Sequence, residues 1–215
     1  LHIWSKAYNC WGIKSMSMAL IAKGAEAELR KGELLGMPVV VKDRVKKGYR
    51  VPQLDEKLRR LRTRAEGRLL HAAKKAGVLC PLVYEISNYG LSVSFIEGKL
   101  LLEKQDDAKL LKETGVALAK MHSADIVHGD FTTANVIVDE KGRAWVIDFG
   151  LGSFSADMEE KAVDVLLMKR SLGRASRYKA FLAGYSKYKR APSVLKRLKE
   201  IEMRGRYVVK QMEKA

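Results

Sequence analysis

Short apolar segments and longer segments of helical periodicity follow one another along the chain. Four short segments are rich in apolar residues, and a fifth, Glu28 to Lys31, lies between two turns; together they predict five strands. They are residues 18–22, 28–31, 39–41, 83–87 and 91–96. Residues 53–76 carry an apolar residue at every third or fourth position, which predicts a helix with one inward apolar stripe. The stripe consists of Leu54, Leu58, Leu61, Ala65, Leu69 and Ala72.

The second half of the chain is predicted to be mainly helical. Four segments have helical spacing or continuous apolar character: residues 107–122, 162–167, 176–188 and 192–203. A hairpin of two strands, residues 136–138 and 144–147, interrupts them. The fold class is therefore α+β with two lobes: a small β-rich lobe and a reduced helical lobe.

The pattern also divides the chain. The β-rich lobe is expected over residues 18–96, the helical lobe over 97–203 and a basic, mobile tail over 204–215. Residues 1–17 show no clear period, so they remain an unassigned segment or linker.

Composition excludes several classes of protein. Apolar residues make up 47% of the chain and charged residues 31%, as in soluble globular proteins. No apolar run approaches the roughly 20 residues of a membrane helix, so no membrane partner is expected. Cys10 and Cys80 provide neither a disulfide framework nor a metal quartet, and no secretory signal is visible. We expect reduced thiols and a cytoplasmic protein.

The charge is strongly basic and uneven. The net charge is +16, with 13 basic and 4 acidic side chains in residues 42–75 and 15 against 3 in residues 169–215. Residues 76–168 hold 8 basic and 15 acidic side chains. Two basic regions thus flank an acidic centre. They predict a polyanionic partner, with nucleic acid first, although a thermophile's solvated surface is the alternative.

The acidic centre contains the candidate catalytic and metal-binding residues. His128, Asp130 and Asn135 precede the hairpin, which folds Asp148 of an Asp-Phe-Gly sequence back toward Asn135. Clustered oxygen ligands suit Mg²⁺ with a phosphate chain, and one carboxylate beside the two metal ligands then orients the nucleophile. This is the kinase signature set, with Asp130 as the catalytic residue and Asn135 and Asp148 as metal ligands. Gly129 replaces the Arg that is usual in regulated protein kinases.

The β-rich lobe supplies candidate phosphate-binding residues. A tight turn at Gly24, Ala25 and Glu26 lies ahead of a buried strand that ends in Lys42. This order matches a nucleotide-binding hairpin followed by a Lys that contacts the α and β phosphates. Glu66, beside the apolar stripe, is the candidate partner of Lys42. The alternative is a surface ion pair with Arg62 or Arg64.

Two further predictions concern the segments next to this centre. The strand over residues 91–96 is expected to form the hinge, where Ser94 and Ile96 offer backbone groups to adenine and Val93 sets the depth of the pocket. Asp164 is expected to hold the catalytic loop through its backbone. Only residues 151–161 separate Asp-Phe-Gly from the next predicted helix, which leaves no room for a long activation segment.

Several motifs resemble one family, the small atypical kinase of the archaeal KEOPS (EKC) complex. The resemblance covers about residues 18–208. The matching motifs include Tyr49-Arg50-Val51-Pro52, Arg62-Thr63-Arg64-Ala65-Glu66, His128-Gly129-Asp130-Phe131-Thr132-Thr133-Ala134-Asn135, Lys161-Ala162-Val163-Asp164 and Arg204-Gly205-Arg206-Tyr207. Ser94, where the family usually has an acidic hinge residue, and Tyr207, where Lys or Arg is usual, depart from it.

The resemblance implies a trimmed two-lobe protein-kinase-like fold that binds ATP and Mg²⁺. It also implies an ATPase and Ser/Thr kinase that phosphorylates itself and serves threonylcarbamoyladenosine formation in tRNA. The implied partners are the threonylcarbamoyl transferase subunit, other KEOPS subunits and tRNA. Lys42 and Glu66 would be the phosphate-holding pair, Asp130 the catalytic Asp, and Asn135 and Asp148 the Mg²⁺ ligands.

Rival interpretations come from other classes. A RIO-type ribosome-assembly kinase would show a Ser-Thr-Gly-Lys type nucleotide loop, which Gly24 to Ala27 is not. A small-molecule phosphotransferase is a further trimmed-kinase alternative. A nucleotide-binding scaffold without turnover would not need all of Lys42, Asp130 and Asp148, and a plain RNA-binding module would not need an acidic metal centre.

Overall fold

The computed structural model describes residues 19–24 and 26–212, with side chains as far as residue 204. Residues 1–17, Ala25 and the side chains of Arg206 and Tyr207 therefore lie outside the described part. The described residues form two compact units, one that reaches to residue 67 and includes residues 81–95, and one that comprises residues 68–80 and those from residue 96 onward. The long helix α1 (Pro52–Lys75) passes from the first unit into the second.

The first unit contains a five-stranded antiparallel sheet in the order β1-β2-β3-β5-β4. The strands are β1 (Ala19–Lys23), β2 (Ala27–Leu34), β3 (Met37–Arg44), β4 (Val83–Ile86) and β5 (Gly90–Ser94). All five match strands expected from the sequence. Val39 and Val41 are buried in this sheet, so the continuous apolar run in β3 reflects a central strand.

Helix α1 is confirmed, but its predicted inward face is wrong over its first half. Leu54 and Leu61 are 50% and 51% exposed, while Asp55 is buried. Asp55 is inside because Arg59 on the next turn and Arg50 from the preceding loop contact its carboxylate. An apolar stripe alone does not indicate such ion pairs.

The second unit combines small strand pairs with helix α2 (Ala108–Ser123). Asp107 caps α2, because its carboxylate accepts hydrogen bonds from the Lys109 and Leu110 N–H groups. Strand β8 lies between β6 and β9 in a three-stranded sheet, and β10 pairs with β7. These strands are β6 (Lys99–Leu100), β7 (Ile126–Val127), β8 (Val136–Val138), β9 (Ala144–Val146) and β10 (Ser153–Phe154).

Helices α3 (Met158–Leu172), α4 (Ala175–Tyr185) and α5 (Ala191–Met212) complete the second unit. Helix α3 begins four residues before the predicted start because Asp157 caps it by accepting from Glu159 N–H at 2.6 Å. Helix α5 continues through Met212, so the predicted end at residue 203 is wrong. Phe181 and Tyr185 stack inside the unit and are fully buried, so they contribute to its core.

Candidate active site

The first unit pairs a strand lysine with a helix carboxylate. Lys42 lies on β3 and Glu66 on α1, and the distance from Lys42 Nζ to Glu66 Oε1 is 2.7 Å. Only 14% of the Lys42 side chain and 4% of the Glu66 side chain are exposed. A buried ion pair of this kind holds the ammonium group in one position. The pairing expected from sequence is therefore present in the structure.

Glu66 has a second cation that sequence reasoning missed. Arg44 Nη2 lies 2.5 Å from Glu66 Oε2, whereas the two arginines considered from sequence do not bind this carboxylate. Alternate residues of a strand share one face, so Lys42 and Arg44 both reach Glu66 from β3. This period of two was a usable signal in the sequence.

The turn ahead of β2 contains two of the predicted nucleotide-binding residues. Gly24 N–H donates to Ala27 O at 2.9 Å, which closes the turn between β1 and β2. The Glu26 carboxylate binds Arg62 and lies 3.9 Å from Arg44 Nη1. Glu26 therefore belongs to a cluster of arginines, which sequence reasoning did not foresee. Ala25 lies outside the described residues.

The predicted hinge residues lie at the end of β5 and just after it. Ser94 N–H donates to Leu82 O, and the Ser94 hydroxyl accepts from Leu82 N–H, both at 2.9 Å. The Ser94 N–H group is therefore already used inside the first unit. Val93 pairs with Val40 and Val83 across the sheet, and Ile96 is half-buried at the start of a segment of the second unit.

In the second unit, Asp130 and Asn135 form one hydrogen-bonded group. Asn135 Nδ2 donates to the Asp130 backbone carbonyl at 2.8 Å and to Asp130 Oδ2 at 2.9 Å. Both acceptors require the amide to present its NH₂ group, so the Asn135 Oδ1 atom remains to bind a cation. This contact closes the loop of four residues between Asp130 and Asn135.

Asp148 reaches this group through the hairpin of β8 and β9. Ile147 N–H donates to Asn135 O at 3.0 Å, which places the residue before Asp148 beside Asn135. Asp148 itself is exposed, with a left-handed φ of 59°, and its Oδ1 accepts from Gly150 N–H at 3.1 Å. A non-glycine residue in this conformation is strained, and such strain concentrates at functional sites. The structure thus brings together Asp130, Asn135 and the segment that carries Asp148.

His128 links the catalytic loop to the Asp148 segment. His128 Nε2 lies 3.0 Å from Ile147 O, and Nδ1 lies 3.3 Å from Asp130 N. Because a carbonyl only accepts, Nε2 carries the hydrogen, and Nδ1 accepts from the Asp130 N–H. His128 is fully buried against Phe131 and Phe149. His128 thus supports the backbone of both segments by hydrogen bonding.

Asp164 on α3 holds the backbone of the same loop. Its carboxylate accepts from His128 N–H at 2.7 Å and from Gly129 N–H at 2.9 Å. The expectation that Asp164 acts through the loop backbone is confirmed. Gly129 has φ 80°, and a Cβ atom there would lie 2.2 Å from Leu151 O. The absence of an Arg at this position therefore has a steric reason as well.

A buried polar network behind Asp164 was not predicted. His122 Nε2 contacts Asp164 Oδ2 at 3.2 Å, and His122 Nδ1 contacts the Tyr185 hydroxyl at 2.8 Å. Lys161, also fully buried, donates to His122 O at 2.9 Å and to Asp125 Oδ1 at 2.5 Å. Burial lowers the pKa of His122 despite the neighbouring Asp164 carboxylate. Only the Lys-Ala-Val-Asp sequence signalled that Lys161 and Asp164 belong together.

Comparison with known proteins identifies the family. The protein kinase domain family matches residues 57–180. The KEOPS complex subunit Bud32 of Pyrococcus abyssi is 39% identical over 214 residues, which cover 88% of this chain and 96% of that protein. The chain belongs to the protein kinase family, in the branch of the KEOPS subunit Bud32. The resemblance drawn from the sequence motifs is thus confirmed.

Other members of the Bud32 branch are longer proteins. A probable bifunctional tRNA threonylcarbamoyladenosine biosynthesis protein of Methanobrevibacter smithii is 43% identical over 198 residues. The match covers 87% of this chain and 36% of that protein. A protein of the same description from Methanococcus maripaludis is 40% identical over 213 residues, with 94% and 39% covered. The chain thus spans less than half the length of these relatives.

Solved structures confirm the predicted kinase-like fold. The Rio2 kinase–ADP/Mg²⁺–phosphoaspartate complex from Chaetomium thermophilum superposes with a TM-score of 0.62. The superposition covers 95% of this chain and 72% of that one, at 17% sequence identity. A likeness at this identity concerns the fold alone. Within the described residues, no helix is long and apolar enough to span a membrane.

Proposed function

We propose that this chain transfers phosphoryl groups from ATP with Mg²⁺, as an ATPase and a Ser/Thr protein kinase. The observation that carries the proposal is the hydrogen-bonded pair of Asp130 and Asn135, with Asp148 at the end of the neighbouring hairpin. A carboxylate beside a metal-binding amide and a second carboxylate is the minimal core for phosphoryl transfer.

The chemistry of these donors fits Mg²⁺ bound with a nucleotide. Carboxylate and amide oxygens are hard ligands, and Mg²⁺ usually takes few protein ligands together with substrate phosphates and water. Among the described residues, no group of three or more His, Cys, Asp and Glu is arranged to hold a metal. We therefore assign Asn135 Oδ1 and the Asp148 carboxylate as protein ligands that act together with ATP phosphate oxygens. The bound metal would neutralise charge that develops on the phosphates.

The other predicted residues receive matching roles. Asp130 orients the attacking hydroxyl or water and accepts its proton, while Asn135 keeps the Asp130 carboxylate in one orientation. Lys42, held by Glu66, binds phosphate oxygens of ATP. Gly24, Ala25 and Glu26 would cover the phosphates through their backbone, because the Glu26 side chain is engaged by Arg62. Val93, Ile96 and the Ser94 carbonyl remain proposed adenine contacts.

The acceptor is proposed to be Ser or Thr, mainly in this chain itself. Seven residues lie between Gly150 and α3, and two of them pair with β7. Such a short segment offers no platform for an extended peptide. We expect weak phosphorylation of generic peptides without a motif, and self-phosphorylation on Ser or Thr. A peptide array that yields one sharp consensus would contradict this.

We further propose that the chain acts in KEOPS and in threonylcarbamoyladenosine formation in tRNA. The names of its relatives support this, and the bifunctional relatives contain a large additional part beside the matched region. We infer that this chain binds the threonylcarbamoyl transferase subunit and other KEOPS subunits, with tRNA as the substrate of the assembly. A cytoplasmic location follows from that role.

The deciding experiment is ATP turnover by the purified chain, alone and with the transferase subunit and tRNA. Asp130→Asn should keep Mg-ATP binding, measured by thermal shift, but lose turnover by about two to four powers of ten. Asp148→Asn should lose the Mg²⁺-dependent part of the thermal shift. Asp107→Asn makes the same change at an exposed helix cap, where Asn serves equally well, and should behave as the parent. Parental turnover by Asp130→Asn would refute the assignment.

A further inference from the structure

Five basic side chains line one small concavity of the first unit. The concavity is small, with a volume of about 10 Å³, which is about the room of one water molecule. A larger anion can therefore enter only where a lining side chain such as Glu26 moves out. Its basic lining residues are Arg44, Lys47, Arg50, Arg59 and Arg62. We call these residues the arginine cluster. They come from the end of β3, the loop that follows it and the first half of α1.

Asp55 gives the arginine cluster its shape. This residue is fully buried, and its carboxylate accepts from Lys47 N–H at 3.3 Å and from Arg59 Nε at 2.8 Å. Arg50 Nη1 lies 3.6 Å from the same carboxylate. Burial raises the pKa of Asp55, but these hydrogen bonds and charges outweigh it and keep the pKa below its usual range. Asp55 therefore acts as an ionised support that orients two arginines.

The cations of the arginine cluster outnumber the carboxylates that contact them. Asp55 holds Arg59 and Arg50, Glu66 holds Arg44, and Glu26 holds Arg62. Glu66 is also shared with Lys42, so the four arginines contact three carboxylates, one of which also binds Lys42. Like charges at this spacing repel one another where water is partly excluded, and an anion would offset the excess.

In the part of the chain that the structure describes, most N–H donors of these arginines remain available to a ligand. A guanidinium group has five N–H donors in a planar fork. Within the described residues, Arg50 and Arg62 each use one nitrogen in ion pairs. Arg59 packs over the Tyr89 ring at 4.0 Å, which fixes the plane of its fork. The cluster is thus pre-arranged rather than solvated on long flexible side chains.

We propose that the arginine cluster is a binding site for a single phosphate group. Convergent guanidinium groups bind tetrahedral oxyanions through several charge-assisted hydrogen bonds at once, and clusters of this kind recognise phosphorylated side chains. An extended row of exposed cations would favour a nucleic-acid backbone, but these arginines meet around one small concavity and three of them are less than 20% exposed.

Glu26 competes with the phosphate group for the same donors. Its side chain is 43% exposed at the rim of the cluster, so it can move into solvent without losing much packing. The hydrogen bond from Arg62 holds the pKa of Glu26 below its usual range, so the carboxylate stays ionised and repels an incoming anion. The site therefore has an internal competitor, and its removal must strengthen phosphate binding.

The test is a calorimetric titration of the full chain with inorganic phosphate at low ionic strength. Arg62→Gln removes a donor fork and should weaken binding about tenfold, the effect of losing about one charge-assisted hydrogen bond. Glu26→Gln should tighten binding at least about threefold, since it removes a like charge at contact distance. Arg64→Gln changes the same charge on an exposed residue of α1 outside the cluster, and should stay within about twofold of the parent.

The pattern across the three variants decides the proposal. If Arg62→Gln and Arg64→Gln weakened phosphate binding equally, binding would depend on the general positive charge of the surface, and the proposal would be overturned. Unchanged binding in Arg62→Gln would place the phosphate elsewhere, for example at Lys42, and would overturn it as well. Arg62→Lys keeps the charge without the planar fork, and its binding should lie between that of the parent and that of Arg62→Gln.

A second titration separates the sources of the phosphate group. O-phosphoserine that binds more tightly than inorganic phosphate would assign the site to a phosphorylated side chain, and the reverse order would assign it to free phosphate. Both orders support a phosphate site. A short single-stranded RNA that binds in an Arg62-dependent way, when neither small probe binds, would overturn the proposal in favour of a nucleic-acid surface.

Discussion

Replacing Asp164 by Asn tests whether one buried carboxylate holds the catalytic loop. Asp164 is fully buried, and its two oxygens accept three hydrogen bonds, from His128 N–H, Gly129 N–H and the His122 ring. Asn has the same shape, but one of its oxygens becomes an NH₂ donor. The best orientation keeps the carbonyl toward His128 and His122, and turns NH₂ against the Gly129 N–H.

The expected cost follows from these contacts. A hydrogen bond to a charged group contributes about 1.5–3 kcal/mol, and one between neutral groups about 0.5–1.5 kcal/mol. Asp164→Asn loses the Gly129 bond entirely and weakens the two bonds to His128 and His122. The free energy of unfolding should therefore fall by about 3–5 kcal/mol. This is a large part of the about 5–15 kcal/mol that stabilises a typical domain.

Urea unfolding followed by circular dichroism measures this loss. Asp157→Asn is the matched control, because the same change on the same helix affects an exposed N-cap, where Asn and Asp serve equally well. The control should lie within about 0.5 kcal/mol of the parent. A loss below about 1 kcal/mol in Asp164→Asn would refute the idea that this carboxylate holds the loop.

Three further predictions concern pH, backbone conformation and salt. Stability should fall as the pH drops below about 6.5, because His122 takes up a proton in the unfolded chain but, with its pKa lowered by burial, not in the folded protein. In thermal unfolding, His122→Asn should make stability depend less on pH. Gly129→Ala should cost about 3 kcal/mol, from a positive φ and a clash with Leu151 O. If tRNA binds the basic end of α5, changing Arg204 and Arg206 to Ala should make the slope of log affinity against log salt shallower by about one to two units.

Each of these predictions has its own control. His71→Asn removes an exposed histidine and should keep the parental pH dependence; an equal loss of slope there would contradict the His122 prediction. Gly142→Ala meets the same φ strain with open space around it, so only about 1–2 kcal/mol is expected, and equal costs would exclude the clash. Arg204 forms an ion pair with Glu159. An unchanged dependence of tRNA affinity on salt would show that Arg204 contacts Glu159 and not tRNA.

Local geometry made the second unit's site predictable. Asp130 and Asn135 are five residues apart, and a hairpin with turn residues at 139–142 returns the chain to Asp148. The turn fixes the register of β8 and β9, and the register fixes which residue meets Asn135. Spacing alone therefore predicted the grouping. It did not predict the Tyr185–His122 contact, because those two residues are 63 positions apart.

Ion pairs explain where the same approach was wrong on α1. The apolar pattern put Leu54 and Leu61 inside, but Asp55 is buried instead. Burial of a carboxylate is favourable only with partners. The Lys42–Glu66 pair was predicted from sequence, but the second cation on Glu66, Arg44, was not. The predicted end of α5 at residue 203 was wrong for another reason. Gly205 lowers helix stability by only about 1 kcal/mol, so it does not have to end a helix.

Backbone hydrogen bonds hold both ends of the loop that carries Asp130 and Asn135, which concerns whether phosphorylation of a neighbouring segment could order it. Strand β7 enters the loop and pairs with β10, which follows Asp148, and Ser155 N–H donates to Asp125 O at 2.7 Å. Asp164 holds the loop itself. Kinases that respond to activation-loop phosphorylation need a long segment that orders on demand and an Arg beside the catalytic Asp. Here the segment is short and already paired, and Gly129 takes the place of that Arg. Control by activation-loop phosphorylation is therefore not expected in this chain.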